Sequence, residues 1–363
     1  MPFKIVHCAD LHIGTSLSGL STDAFIQRNE EIRTVFLDMI NFCKEKSVDA
    51  LLICGDLFDC PIPTENDRIF VKNALSSIGN TDVFIVCGNH DYMCPGSPYS
   101  DPTFFSQNVH IFPCFEHAFS IPEKNAVIWG KSYNSRTIEP SFDKCNFDES
   151  KINIMCLHGD MFPKSDYNIL TKETLSSLPC DYAAFGHIHK GYISQIASVP
   201  YAYCGALEGQ SFSDDGFTGF IYGEIAQGSA EFKQISFSKR HYRNISLDVS
   251  YSNTSQIISD AKKIINDTDL FRLTLEGEYT NPTDINISLI KSELEKIAFY
   301  IDIFDNTSAG YDFDKIESEE GIRGEFLREL RNLCKTEEEF ILSAKAGLDA
   351  LSGRIPDIGG EIC

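Results

Sequence analysis

Ala50-Leu51-Leu52-Ile53-Cys54 runs directly into Gly55-Asp56-Leu57-Phe58-Asp59. Five consecutive apolar residues cut off by Gly-Asp read as a strand buried on both faces and ended by a sharp turn. The same form recurs on either side. Phe3–Cys8 precedes Asp10-Leu11-His12, and Val83–Cys87 precedes Gly88-Asn89-His90-Asp91. Ile152–Leu157 leads into His158-Gly159-Asp160, and Tyr182–Phe185 into Gly186-His187-Ile188-His189. Between the first two runs, Phe25, Ile32, Val35, Phe36, Met39, Ile40 and Cys43 recur at helical spacing. They give an amphipathic crossover helix. Strand–helix–strand repetition predicts a layered α/β core. Its crevice lies beyond the carboxyl ends of the strands, where all five polar segments fall.

Farther along, Tyr192 to Phe237 changes to short alternating runs punctuated by glycine, expected to close a second sheet. Lys239-Arg240-His241-Tyr242-Arg243 is basic, and the first domain is placed at 1–240. Then come a strand (Ile245–Val249), a helix (Thr254–Ile265), a strand (Leu270–Glu276), a helix (Asp284–Ile297) and a strand (Ala298–Phe304). This 241–310 region reads as a small α+β unit of about 65 residues, a size that folds only marginally alone. From 318 to 363 the pattern is helical, and Thr336-Glu337-Glu338-Glu339 has capping-box form.

Composition excludes several classes. With 31 Lys+Arg against 53 Asp+Glu, the 363 residues carry a net charge of −22. A protein that grips nucleic acid through bulk positive charge is usually basic, so that mode is out. A local cationic site remains compatible, because charges more than about 8 Å apart are largely screened at physiological salt. No apolar run reaches the roughly 20 residues of a membrane span, and Met1–Val6 lacks signal-peptide form. The 13 cysteines include no CxxC pair, which leaves no zinc-ribbon or thioredoxin-type pattern. Cys8, Cys54, Cys87 and Cys156 each sit near the end of a short apolar run and read as small core residues of a protein in a reducing cytoplasm.

One Asp or His after a strand is ordinarily a turn former. Five such segments in order, holding five of the nine histidines, point to one metal centre. Imidazole, carboxylate and amide ligands with no thiolate suit borderline divalent ions such as manganese, iron or zinc. His7, His110 and His117 have no motif around them and read as core or surface residues. Lys131, Lys164, Lys190, Arg240 and Arg243 are candidates for phosphate contact, though exposed cations are usually just solvated.

The order DLH, GDLFD, GNHD, HGD, GHIH resembles the calcineurin-like metallophosphoesterases, and more narrowly the bacterial SbcD/YhaO-like DNA repair nucleases. The motifs cover about residues 1–240, Ile245–Thr307 is similar in layout to that family's capping domain, and Gly324–Leu330 looks like the segment after the cap. The resemblance implies a four-layer αββα sandwich with a small α+β cap and a helical tail. It implies one metal on Asp10, His12, Asp56 and His189 and a second on Asp56, Asn89, His158 and His187, with Asp56 bridging and manganese in both positions. Such a pair, about 3.5–4 Å apart, can clamp a phosphodiester. His90 becomes the general acid, with Asp59 as the carboxylate that orients it; a helix N-cap is the plainer reading of Asp59. Two divalent ions over only two anionic ligands, Asp10 and Asp56, leave a net positive centre inside an acidic shell.

The implied activity is a manganese-dependent DNA exonuclease, 3′ to 5′, with single-strand endonuclease action. It would work in DNA repair with an SbcC/YhaN-like coiled-coil ATPase, and the family's habit of dimerising leaves a homodimer open. The tail either docks on that ATPase or packs on its own chain. Two alternatives stand beside this: a small-molecule phosphoesterase using the same centre, and a non-catalytic subunit regulating an ATPase. Cys204–Phe212 resembles the family's loop after the last metal motif, either a wall of the substrate groove or a plain turn.

Overall fold

The computed structural model describes residues 2–17, 19–142, 146–162, 164–226, 229–250, 252–279 and 285–353. The chain divides into two compact units, Met1–Arg243 and Asn244–Cys363.

The first unit begins β1 (Phe3–Cys8), α1 (Thr22–Lys46), β2 (Ala50–Cys54), α2 (Glu65–Ser76), β3 (Asp82–Val86), β4 (Val109–Ile111). These four strands are parallel neighbours. Ser21 caps α1 by accepting from the Ala24 N–H, and Ser47 ends it in a left-handed turn. A second series follows: β5 (His117–Ile121), β6 (Ala126–Gly130), β7 (Ile152–His158), α3 (Lys172–Ser177), β8 (Tyr182–Gly186), β9 (Tyr192–Ile196) and β10 (Val199–Tyr203). It forms a six-stranded sheet in the order β5-β6-β7-β8-β10-β9.

Successive side chains of a strand point to opposite faces, which is why both sheets need wholly apolar runs. From the first sheet, Ile5, Leu52, Cys54 and Val86 pack inward against Ile154, Cys156 and Ala184 of the second. Val6, Leu51, Ile53 and Ile85 face the other way, against Ile32, Phe36, Met39 and Val71 of α1 and α2. On the far side Leu157 and Phe185 are covered by Leu170 and Leu175, so the fourth layer is the short α3 and its flanking loops. The α/β sandwich expected from the sequence is therefore present.

The region from Tyr192 onward corrects one expectation. β9 and β10 extend the second sheet, but β11 (Phe220–Ala226) and β12 (Ser229–Ile235) form a hairpin on the first, β11 pairing antiparallel with β1. Alternation fixes which face of a strand is buried and not which sheet edge receives it.

The second unit holds β13 (Tyr242–Asp248) from Asn244 on, α4 (Thr254–Ala261), β14 (Leu270–Tyr279), α5 (Ile287–Leu294) and β15 (Tyr300–Ala309). The strands pair in that order, and Ile257, Ala261, Ile290 and Leu294 cover Phe271, Leu275 and Ile301. Of the expected helix Asp284–Ile297, the first residue lies outside the described residues. Three helices follow: α6 (Phe313–Ser318), α7 (Ile322–Leu333) and α8 (Glu337–Leu351). Ile316, Leu327, Phe340, Ala344 and Leu348 share one core, and Lys345 donates to Glu278 of β14. The end of the 318–363 tail, from 354, lies outside the described residues. No described helix is long and apolar enough to cross a membrane.

Candidate metal centre

β1, β2, β3, β7 and β8 end side by side, and the polar segments begin there. Asp10, His12, Asp56 and His187 have φ of 52, 43, 50 and 91°. Left-handed backbone costs a non-glycine residue of order 1–3 kcal/mol and persists only where neighbours over-determine it. Here they do. Asp10 N–H donates to the Gly55 carbonyl at 3.1 Å and His12 N–H to the Asp56 carbonyl at 3.0 Å. His187 N–H donates to both Asp10 carboxylate oxygens at 3.0 Å. Two glycines make room. A Cβ on Gly55 would lie 2.2 Å from His158 Nδ1, and one on Gly88 would lie 2.2 Å from Asp56 Oδ1.

Two groups of donor atoms converge. In one, His12 Nε2 lies 3.3 Å from His189 Nε2 and 3.7 Å from Asp56 Oδ2, while His189 Nε2 lies 4.0 Å from Asp10 Oδ1. In the other, Asn89 Oδ1 lies 2.8 Å from His158 Nε2 and 3.1 Å from His187 Nδ1. His158 Nε2 is 3.5 Å from the same Asp56 oxygen, Oδ2, so Asp56 stands between the groups. Asp10, His12 and His189 bring their ligand atoms within 4.8 Å of one another, as do Asp10, Asp56 and His158.

The donor chemistry fits divalent metal. A metal-binding imidazole usually anchors its other nitrogen, which fixes the tautomer. His158 Nδ1 lies 2.8 Å from the Cys54 carbonyl, an acceptor, so that nitrogen carries the proton and Nε2 offers a lone pair. His12 Nδ1 lies 3.1 Å from Asp59 and His189 Nδ1 lies 2.9 Å from Asp214, with the same consequence. Asp10 and Asp56 are buried carboxylates. Burial pushes the Asp10 carboxyl up. At Asp56 burial works the same way, but His158, His12 and His90 outweigh it and hold the carboxyl down. Burial lowers His12, yet Asp59, Asp56 and Asp10 leave it raised overall. His189 likewise rises to about 9, burial being overcome by Asp214 and Asp10. His187 falls to about 3 through burial and the neighbouring His158.

His90 is half exposed, edge-on to His12 with ring centroids 4.7 Å apart, and its N–H donates to Asp56 Oδ1 at 2.9 Å. Asp59 stands 3.7 Å from His90 Nδ1, farther than from His12. Asp91 accepts the N–H groups of Asp56, Phe58 and Gly88 and the Tyr99 hydroxyl, tying two ligand loops together. Asp160 accepts from Phe162 N–H and the Ser165 hydroxyl, shaping its own turn. His7 is a core residue between Tyr182 and the Phe185 carbonyl, and His110 pairs with Asp82. Among the candidate phosphate contacts, Lys131 bonds Ser141, Lys190 lies 3.7 Å from Asp215 and Arg240 pairs with Glu31.

Sequence reasoning missed Asp214, a buried carboxylate 25 residues beyond His189. It follows no strand and belongs to no recurring motif. The one local sign is Ser211-Phe212-Ser213-Asp214-Asp215, a run of turn formers.

Residues 3–191 match the family model described as calcineurin-like phosphoesterase. Over 282 residues the chain is 25% identical to the uncharacterized metallophosphoesterase YhaO of Bacillus subtilis, an overlap covering 74% of this chain and 65% of that protein. The chain thus spans just under two thirds of that relative's length. It is 24% identical over 330 residues to the DNA double-strand break repair protein Mre11 of Methanococcus maripaludis, covering 84% of this chain and 78% of Mre11. A dimetal phosphatase from Danio rerio superposes with a TM-score of 0.44 and 12% identity, over 65% of this chain and 98% of its own.

Proposed function

We propose that this chain, which belongs to the calcineurin-like phosphoesterase family, is a DNA phosphodiesterase that uses two divalent metal ions, manganese by preference. Metal-dependent phosphoester hydrolysis is the family's chemistry and that of this chain; DNA, manganese and the direction of attack are our reading. The observation that carries it is the convergence of Asp10, His12 and His189 on one side of Asp56 and of Asn89, His158 and His187 on the other. The likeness to Mre11 supports nucleic acid over a small phosphoester.

Asp10, His12, Asp56 and His189 would hold one ion, and Asp56, Asn89, His158 and His187 the other. The pair would supply Lewis-acid polarisation of the phosphate and a nucleophilic water at neutral pH. The chain's own residues do the rest. Asp59 and the Cys54 carbonyl keep the His12 and His158 protons on the nitrogens facing away from the centre. His90, half exposed beside His12, would protonate the leaving oxygen as general acid. A net charge of −22 keeps the phosphate backbone away except where the metal charge dominates at short range.

We also propose that the protein acts in DNA repair in the cytoplasm with a coiled-coil ATPase of the SbcC/YhaN type. The C-terminal helices would serve as the docking segment: beyond their own core they leave Ile322, Leu333 and Leu342 exposed. The deciding assay uses 3′- and 5′-labelled single- and double-stranded DNA with manganese, magnesium or chelator, beside a panel of small phosphoesters. Manganese-dependent shortening from labelled 3′ ends is expected. Turnover of the small esters with intact DNA would overturn the nuclease reading.

A further inference from the structure

The turn from Glu208 to Asp214 touches the centre twice and is anchored at its other end. Asp214 is only 2% exposed. Its Oδ2 accepts the N–H groups of Gln210 at 2.9 Å and Ser211 at 3.0 Å, and its Oδ1 accepts the Nδ1 proton of His189 at 2.9 Å. The Gln210 side-chain amide donates to the Leu11 carbonyl at 2.7 Å, between Asp10 and His12. At the base, fully buried Arg28 donates to the Gly209 carbonyl and to Glu208, each at 2.7 Å. Glu208 in turn accepts the Lys239 N–H at 2.8 Å and the Arg240 N–H at 3.2 Å.

We infer that Asp214 is a positioning residue that sets the His189 tautomer, and that the 208–214 turn holds one of the two metal positions and not the other. The inference rests on the ligand role proposed for His189. The other three ligands do not lean on the turn: the Cys54 carbonyl accepts the His158 Nδ1 proton, and Asn89 Oδ1 lies 2.8 Å from His158 Nε2 and 3.1 Å from His187 Nδ1 as a fellow donor atom. Among the described residues, none of them hydrogen-bonds to the turn.

The consequence separates two substitutions that a merely structural carboxylate would not. In Asp214→Asn the amide oxygen stays on the Gln210 and Ser211 N–H groups, because an NH2 there would face two donors. The new NH2 then faces His189 Nδ1 and donates to it. A neutral imidazole carries one proton, so that proton moves to Nε2, the atom that lies 3.3 Å from His12 Nε2 and 4.0 Å from Asp10. A protonated Nε2 cannot ligate. Asp214→Ala removes the turn's acceptor but leaves the tautomer free. The isosteric change therefore harms metal binding more, and the truncation harms folding more.

The test is calorimetric titration of metal-free wild type, Asp214→Asn, Asp214→Ala and Gln210→Leu with manganese, alongside metal content and melting temperature. Wild type is expected to take two ions. Alanine should weaken one of them by about 10-fold and asparagine by about 100-fold, the range seen when the partner of a metal-bound histidine is lost. The other ion should be unchanged, and the asparagine protein should melt above the alanine one. Gln210→Leu should weaken the same ion. Equal loss in both Asp214 variants, loss of both ions together, or no loss would overturn the inference. If Asp214→Asn does not fold, unchanged binding in Gln210→Leu would overturn it equally. A wild type that takes up no pair of ions would instead remove the centre itself, and this inference with it.

Discussion

The two halves of the centre use the same residue types and treat them differently. On the Asp10 side, the outward nitrogens of His12 and His189 rest on carboxylates, Asp59 and Asp214, and both rings are raised, His189 to about 9. On the Asn89 side, the outward nitrogen of His158 rests on a carbonyl, and His187 sits near 3. A carboxylate partner makes an imidazole more basic and charges it when metal is absent. Burial and the neighbouring His158 instead keep His187 neutral. His12 and His189 must therefore shed protons to take metal, whereas His187 carries no extra proton to shed.

Asp56 belongs to both halves, so its loss gives the largest effect. Asp56→Asn should empty both positions and cost at least about 10³-fold in kcat/KM, given how much of phosphoryl transfer the metals carry. Metal analysis checks it, and one retained ion would place Asp56 in a single half. His12, Asp56 and His90 also bring donor atoms within 4.8 Å of one another, but the proposed role of His90 is general acid and not ligand. Its alanine variant should lose about 10²–10⁴-fold in kcat with both ions kept, the range for a general acid. Loss of an ion would move His90 among the ligands. Removing the metals by chelation should weaken DNA binding without unfolding the protein, measured by fluorescence anisotropy at fixed salt. Equal affinity with and without metal would contradict a centre that supplies the attraction in a chain of net charge −22.

The smallest effect concerns a histidine that resembles the neutral half but holds no metal. His7 is fully buried between the Tyr182 hydroxyl at 2.8 Å and the Phe185 carbonyl at 3.1 Å, and burial lowers it to about 3. Its unfolded value is 6.5, so below that pH the unfolded chain binds the extra proton and the native state does not. The stability it contributes is therefore complete above 6.5 and is lost as pH falls from there toward 3. Melting temperature should drop on acidification over that window. In His7→Gln that slope should be shallower, although the variant starts lower at neutral pH.

Much of this is legible in the sequence. Strands buried on both faces leave unbroken apolar runs, and a ligand that must follow a strand abruptly leaves Gly, Asp or His at its end, as at Cys54-Gly55-Asp56. The β11–β12 hairpin joins the first sheet and does not close the second, because pairing with Phe3–His7 is a long-range choice that local alternation does not encode. Asp214 was illegible for a related reason. Its place beside His189 depends on the closure of a turn anchored by Arg28, a residue 186 positions away in α1 that reads as an ordinary helix cation. What Asp91 does cannot be read from its own segment either, because its four donors come from three segments.

The central claim is a pair of ions sharing Asp56, and anomalous diffraction from a manganese-soaked crystal tests it most directly. Two peaks are expected, one against Asp10, His12 and His189 and one against Asn89, His158 and His187, with Asp56 touching both. A single peak, or two peaks with Asp56 touching only one, would contradict the account.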